Sequence, residues 1–147
     1  MLYKGHKVVD IDRDKKTVTS EPGETVSYDK LVIATGSVPF VLPIPGTDLR
    51  GVLTYRDLDD VTAMLIAAKS RGKAVVTGGG LLGLEAAAGL QEQGMDVTVL
   101  HLPETLMERQ LDESAGYLLQ KELERRGLKV ITNANTQEIA GDGKVER

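Results

Sequence analysis

The chain has 147 residues, a net charge of −4 and 3% aromatic residues, so it lacks the basic, stacking-rich surface of a nucleic-acid-binding protein. No apolar run approaches the ~20 residues that span a bilayer. We expect a globular cytoplasmic protein without a signal peptide or a membrane contact. With 0 Cys and 2 His, the chain offers no disulfide, no thiolate metal site and no iron–sulfur ligand, and we predict no metal site.

The first third of the chain has the pattern of β-structure. Residues 7–20 alternate around the charged turn 13–16, which predicts a β-hairpin, and a second turn at 21–24 leads to another short extended piece. The apolar run Leu31–Ala34 predicts a buried strand of parallel type. It ends in a turn at 35–36, where either a ligand approaches the backbone or a core strand simply stops.

A stiff segment follows, with Pro39, Pro43 and Pro45 ahead of Gly46, and it is the best candidate for a domain boundary. After Arg56 the apolar spacing predicts a helix that begins at an Asp57 cap and stops at Gly72.

The centre of the chain is a glycine motif between a strand and a helix. Val75–Thr77 is β-branched, helix formers recur from residue 81 to residue 90 before a stop near Gly94, and a second strand is predicted at 97–100, which is the βαβ context of a dinucleotide-binding turn. A purely structural glycine turn is the alternative. In the binding interpretation a diphosphate meets N–H groups at the positive end of the helix. The predicted phosphate-binding residues are Gly78, Gly79, Gly80, Leu81, Leu82 and Gly83.

The remaining pattern completes a β-α-β-α-β order. Asp112 is predicted to cap a helix that ends at Gly127, and residues 128–132 form a third strand, which implies a parallel sheet with right-handed crossovers. Thr136–Ala140 is predicted as a further strand, followed by a turn at 141–143. Because the return strand should start near Arg147, we expect the chain to be a fragment of a longer polypeptide.

Two separated motifs resemble one family. The segment Asp29–Ser37, followed by prolines, resembles the ATG motif that closes the first part of the FAD domain in pyridine nucleotide-disulfide oxidoreductases. The GxGxxGxxxA pattern that reaches Ala87 resembles the opening of their NAD(P)H-binding domain. The resemblance implies an α/β fold with a Rossmann-like βαβαβ parallel sheet and an N-terminal β-rich remnant of a FAD domain. It divides the chain into a partial FAD-binding domain at 1–50 and an NAD(P)-binding domain at 51–147, truncated at its C-terminal end.

Within this family, residues 101–112 and 116–127 look most like the large subunits of assimilatory NAD(P)H nitrite reductases, with rubredoxin or ferredoxin reductases as the near alternative. The resemblance implies hydride transfer from NAD(P)H to FAD. Electrons would continue to nitrite through iron–sulfur and sirohaem centres outside this chain. The FAD-gripping glycines would precede Met1, so we expect the fragment alone to be inactive and to need the remaining domains of its parent. The sequence does not determine whether the protein forms a homo-oligomer.

The resemblance also assigns roles to single residues. Glu85 would orient the nicotinamide ring as the catalytic residue, although a carboxylate there is favoured by the helix dipole in any case. His101 stands where NAD-specific relatives place an acid, so it would bond a ribose hydroxyl or, when protonated, a 2′-phosphate, which Arg109 could also reach. The choice between NADH and NADPH stays open. The flavin side of the junction would be contacted by Ala34, Thr35 and Gly36.

Two other functions compete with the reductase. A regulatory module could bind NAD(P)H without turnover, but it has no evident need for the ATG motif. A single-domain dehydrogenase is disfavoured, because the sequence shows neither a tyrosine and lysine at short spacing nor a histidine with a carboxylate partner.

Overall fold

The computed structural model describes residues 1–146 and separates into two compact units, Met1–Ser37 and the part from Val38 onward. The sequence-based domain boundary between residues 50 and 51 stays a prediction.

The first unit is built around a three-stranded antiparallel sheet. Its strands are β1 (Val8–Asp12), β2 (Thr17–Ser20) and β3 (Thr25–Ser27), in the order β1-β2-β3. The first turn is held by the Asp12 carboxylate, whose Oδ1 accepts from the N–H groups of Asp14 at 3.1 Å and Lys15 at 2.9 Å. The predicted hairpin and the third extended piece are confirmed.

The predicted buried strand at Leu31–Ala34 is wrong. This segment has no regular secondary structure, and its side chains are exposed, with Val32 at 84% and Ile33 at 68%. A buried parallel strand needs hydrogen-bonded neighbours and covered faces. Within residues 1–146 no other segment pairs with it, so its apolar composition alone does not make a strand.

The second unit is a parallel α/β arrangement. Its elements are α1 (Leu58–Ala68), β4 (Lys73–Thr77), α2 (Leu81–Glu92), β5 (Asp96–Leu100), α3 (Glu113–Arg125) and β6 (Lys129–Ile131). The strands pair in the order β4-β5-β6, with Val76 beside Val99 and Val99 beside Val130. This confirms the predicted βαβαβ order and the α/β fold class.

Side-chain caps set the starts of two helices. Asp57 Oδ1 accepts from the N–H groups of Asp59 and Asp60, each at 3.0 Å, and Asp112 Oδ1 accepts from Ala115 N–H at 2.8 Å. Both predicted caps are confirmed. Helix α2 differs, because its N-cap is Gly80 and no side chain caps it.

A small core lies between the parallel sheet and its helices. The buried residues come from α2, from β5 and from two loop positions, Leu106 and Leu128, neither of which is in a helix or strand. Leu106 is fully buried, so the loop after β5 is part of the core. The buried cluster consists of Leu84, Ala87, Val97, Val99, Leu106 and Leu128.

The predicted strand at Thr136–Ala140 is also wrong. The segment carries no strand; Ile139 N–H donates to the Pro45 carbonyl at 2.9 Å, and Lys144 forms an isolated bridge with Arg50. These isolated hydrogen bonds to irregular backbone do not form the regular series of bonds that pairs two β-strands.

Across residues 1–146, no helix is both long and apolar enough to cross a membrane.

Candidate functional site

The turn between β4 and α2 is fixed by two of its glycines. Gly78 has φ +122°, a region that disfavours side chains, and its N–H donates to the Leu100 carbonyl at 2.8 Å. A Cβ added to Gly83 would overlap the Gly78 carbonyl oxygen, so the start of α2 packs directly on the turn. These are the sharp turn and the close approach that the motif predicts.

Gly79 is buried and faces the protein. Its N–H donates to His101 Nδ1 at 3.0 Å, and its carbonyl accepts from Met107 N–H at 3.0 Å. An added Cβ would overlap the Leu106 side chain and lie 2.8 Å from His101 Cγ. Both backbone groups of Gly79 are thus bonded within the protein. Its N–H is therefore not free to make the contact with phosphate that the sequence predicted.

The next four amides are different. The N–H groups of Gly80, Leu81, Leu82 and Gly83 have no hydrogen-bond partner within the described residues. A Cβ added to Gly80 would meet no atom within 4 Å, which leaves open space in front of the turn. No acidic side chain lies in the first turn of this 12-residue helix.

This arrangement suits an anion. Four unpaired donors at the positive end of a helix attract a group with several acceptor oxygens, and the absence of a side chain at Gly80 lets that group approach the backbone. The diphosphate of a dinucleotide fits both requirements, since it is negatively charged and rich in acceptors.

Two further predicted site residues are exposed. Glu85 follows the glycines on α2, and Arg109 lies in the loop after β5. Neither forms an ion pair within residues 1–146. Their roles toward the nicotinamide and a phosphate stay predictions.

His101 lies at the end of β5 as predicted, but it is 6% exposed and both of its ring nitrogens have protein partners. Nδ1 accepts from Gly79 N–H, so Nε2 carries the proton of the neutral ring. Nε2–H faces the Thr105 carbonyl at 3.0 Å and Glu108 Oε2 at 3.1 Å. The predicted bond from His101 to a ribose hydroxyl therefore has no free ring nitrogen to support it.

The pairing of His101 with Glu108 is not predicted from the sequence, in which no histidine has an evident carboxylate partner. The signal was weak, because the two residues are seven apart in a loop without periodicity. Because Nδ1 of the same ring is already bonded, the pair orders the loop and leaves no nitrogen to act as a general base.

The three residues predicted to contact the flavin belong to the first unit. Ala34, Thr35 and Gly36 are exposed, and Gly36 has φ +72°. They supply backbone groups and one hydroxyl, with no further feature specific for a flavin, so their role stays a prediction.

Among residues 1–146, no three acidic, histidine or cysteine side chains are grouped to hold a metal ion.

Comparison with known proteins identifies the family. The model of the pyridine nucleotide-disulphide oxidoreductase family matches residues 1–147. The chain belongs to this family. Members combine flavin and nicotinamide nucleotides, which agrees with the unpaired N–H groups at the turn before α2.

The similar proteins include nitrite reductases and other flavoprotein reductases. The chain is 53% identical over 145 residues to the nitrite reductase [NAD(P)H] of Bacillus subtilis (strain 168), covering 99% of this chain and 18% of that protein. It is 40% identical over 139 residues to the nitrite reductase (NADH) large subunit of Escherichia coli (strain K12), covering 95% and 16%. The solved ferredoxin reductase of Rhodopseudomonas palustris superposes with a TM-score of 0.85 at 28% identity, covering 95% of this chain and 34% of that one.

The chain therefore spans less than a fifth of the length of these two nitrite reductases.

Proposed function

We propose that this chain is the nicotinamide-nucleotide-binding part of a FAD-dependent reductase that transfers hydride from NAD(P)H to FAD and feeds nitrite reduction. The observation that carries the proposal is the set of unpaired amides from Gly80 to Gly83 before an open space. The similarity to nitrite reductases supports nitrite as the final acceptor.

In this proposal each part of the turn has a separate task. The amides of Gly80, Leu81 and Leu82 bind the diphosphate, and the positive end of α2 adds to the attraction. Glu85 orients the nicotinamide ring from the exposed face of the same helix. The bound nucleotide supplies the hydride that reduces the flavin.

The flavin is part of the proposal because of the resemblance of the ATG segment and the chain's membership of the family. Ala34, Thr35 and Gly36 would hold its edge, and the glycines that grip its diphosphate would precede Met1, in the rest of the FAD domain. Iron–sulfur and sirohaem centres would also lie outside this chain, which has 0 Cys to bind them.

A second candidate keeps the same nucleotide site but passes electrons to a ferredoxin or rubredoxin. The structural similarity to a ferredoxin reductase favours it as the alternative. Assay of the full protein with NADH and nitrite separates the two, because only the first candidate consumes nitrite without an added carrier protein.

The test of the binding site is Gly80→Ala, measured by titration with NADH and NADPH. Gly80 has φ −86°, and the added methyl group meets no protein atom within 4 Å, so the fold should be unchanged. The methyl group would instead stand between the backbone and the diphosphate. We expect Kd to rise by about tenfold, or about 1.4 kcal/mol.

Gly89→Ala is the matched control, since Gly89 lies further along α2 and an added Cβ there also meets nothing within 4 Å. We expect it to leave Kd unchanged and to stabilise the helix slightly. Equal Kd values for the wild type and Gly80→Ala would contradict the proposed site.

A further inference from the structure

Glu108 is held beside the glycine turn by contacts that run through its own loop. Met107 N–H donates to the Gly79 carbonyl at 3.0 Å, and the buried Leu106 side chain fills the space that a side chain at position 79 would need. The loop between β5 and α3 is therefore docked on the same turn whose next amides point to open space.

The orientation of the Glu108 carboxylate follows from the state of His101. Because His101 Nδ1 accepts from Gly79 N–H, the proton must be on Nε2, which lies 3.1 Å from Glu108 Oε2. The His101 side chain is 7% exposed, and its Nε2–H is shared between the Thr105 carbonyl at 3.0 Å and this carboxylate oxygen, which places Glu108 beside the ring. The other oxygen, Oε1, has no donor within residues 1–146, and the Glu108 side chain is 38% exposed.

The charge around Glu108 is mainly negative. Residues 102–113 contain four carboxylates and a single cation, Arg109. An open depression beside Glu108 is also lined by Asp112 and Glu113. A phosphate entering this surface would be repelled, whereas hydroxyl groups would find acceptors.

We propose, resting on the proposed function, that Glu108 is the residue that selects the nucleotide, favouring NADH over NADPH. Dinucleotide sites of this type commonly bind the adenosine ribose with a carboxylate at the end of the second strand, where this chain has His101. Glu108 supplies that carboxylate from the following loop, and His101 positions it. Its unpaired oxygen accepts from a ribose hydroxyl and repels a 2′-phosphate.

The test compares Kd values for NADH and NADPH in the full protein and in its Glu108→Gln variant. Glutamine keeps an oxygen that accepts from His101 Nε2–H, so the loop should stay folded while the negative charge is lost. We expect the wild type to bind NADH about tenfold more tightly than NADPH, and the variant to narrow this ratio by about fivefold, mainly through tighter NADPH binding.

Two further variants control for charge and for structure. Glu104→Gln removes a carboxylate from the same loop that does not contact His101, and it should leave the ratio within about twofold of the wild type. Glu108→Asp keeps the charge and should keep the preference for NADH. A purely structural role would instead lower the affinity for both nucleotides by the same factor and leave the ratio unchanged.

The outcomes separate this inference from the proposed function. Failure of the wild type to bind either nucleotide would overturn the proposed function, and the selectivity inference with it. Binding that is weakened by Gly80→Ala but shows no preference for NADH, or an unchanged ratio in Glu108→Gln, would overturn the selectivity inference alone.

Discussion

At the scale of single residues, His101 connects the glycine turn to the loop after β5. Its Nδ1 satisfies the buried N–H of Gly79, a residue 22 positions earlier in the chain. A buried N–H without an acceptor costs free energy, so the imidazole stabilises the turn as well as holding Glu108. Its position at the end of a strand predicts a ligand contact, whereas the contacts show that it bonds within the protein.

His101→Leu should lower the free energy of unfolding by about 2 kcal/mol, because the Gly79 N–H loses its acceptor while the apolar volume is roughly kept. His101→Asn should recover part of this loss, since its side-chain oxygen can accept from the same N–H. Urea unfolding followed by circular dichroism measures both variants. Equal stability of the leucine and asparagine variants would show that this bond contributes nothing.

At the scale of elements, the three helices of the second unit start in two different ways. Helices α1 and α3 begin at aspartate caps, which accept from two N–H groups in α1 and from one in α3, whereas α2 begins at Gly80 without a side-chain cap. The two capped helices therefore carry carboxylates at the end that attracts anions, from the caps and from acidic residues in their first turns. Among the helices that the structure describes, α2 is the one with neither a side-chain cap nor an acidic residue in its first turn, and this is why we place the nucleotide there.

Helix α3 also carries an ion-pair cluster that makes its stability depend on pH. Glu122 accepts hydrogen bonds from Arg125 and Arg126, and these lower its pKa from 4.5 to about 2. A lowered pKa in the folded state means that the stabilisation is complete above pH 4.5 and is lost as the pH falls toward 2. Because the Glu122 side chain is 38% exposed to solvent, which screens the ion pairs, the effect should be small.

We therefore expect Glu122→Gln to be slightly less stable than the wild type near neutral pH, with the difference disappearing toward pH 2. Thermal unfolding at a series of pH values measures this, with Glu104→Gln as a control that breaks no ion pair in the described chain. A difference that grows as the pH falls would have the wrong sign for this explanation.

At the scale of the whole molecule, the second unit depends on a residue outside its regular elements. Leu106 is fully buried and packs with residues of α2 and β5, although it lies in the loop between β5 and α3. The Leu106 side chain therefore contacts both the core and the glycine turn. A change in the core at this position should reach the proposed nucleotide site directly.

Leu106→Ala should lower the free energy of unfolding by about 3 kcal/mol, because it removes buried methyl groups and leaves a cavity. Leu102→Ala is the control in the same loop, and its side chain is 62% exposed, so we expect a change within about 0.5 kcal/mol. Denaturant unfolding of both variants checks the prediction. A comparable loss in both would mean that Leu106 contributes no more to the core than an exposed leucine.

The sequence by itself determined the features that depend on nearby residues. The caps at Asp57 and Asp112 follow from side chains that reach N–H groups two or three residues ahead. The β-branched run before Gly78 and the helix formers after it determine the strand, the turn and α2. The β-α-β-α-β order then implies right-handed crossover connections between the parallel strands.

Only the tertiary structure decided what depends on distant partners. Leu31–Ala34 has the composition of a buried strand, yet a strand also needs neighbours to bond and cover it, and residues 1–146 provide none. Likewise, no local pattern shows that His101 bonds Gly79 or that it holds Glu108. Such contacts form between segments that meet only after folding. The structure is therefore needed to tell which N–H groups of the turn are bonded within the protein and which are free to bind a ligand.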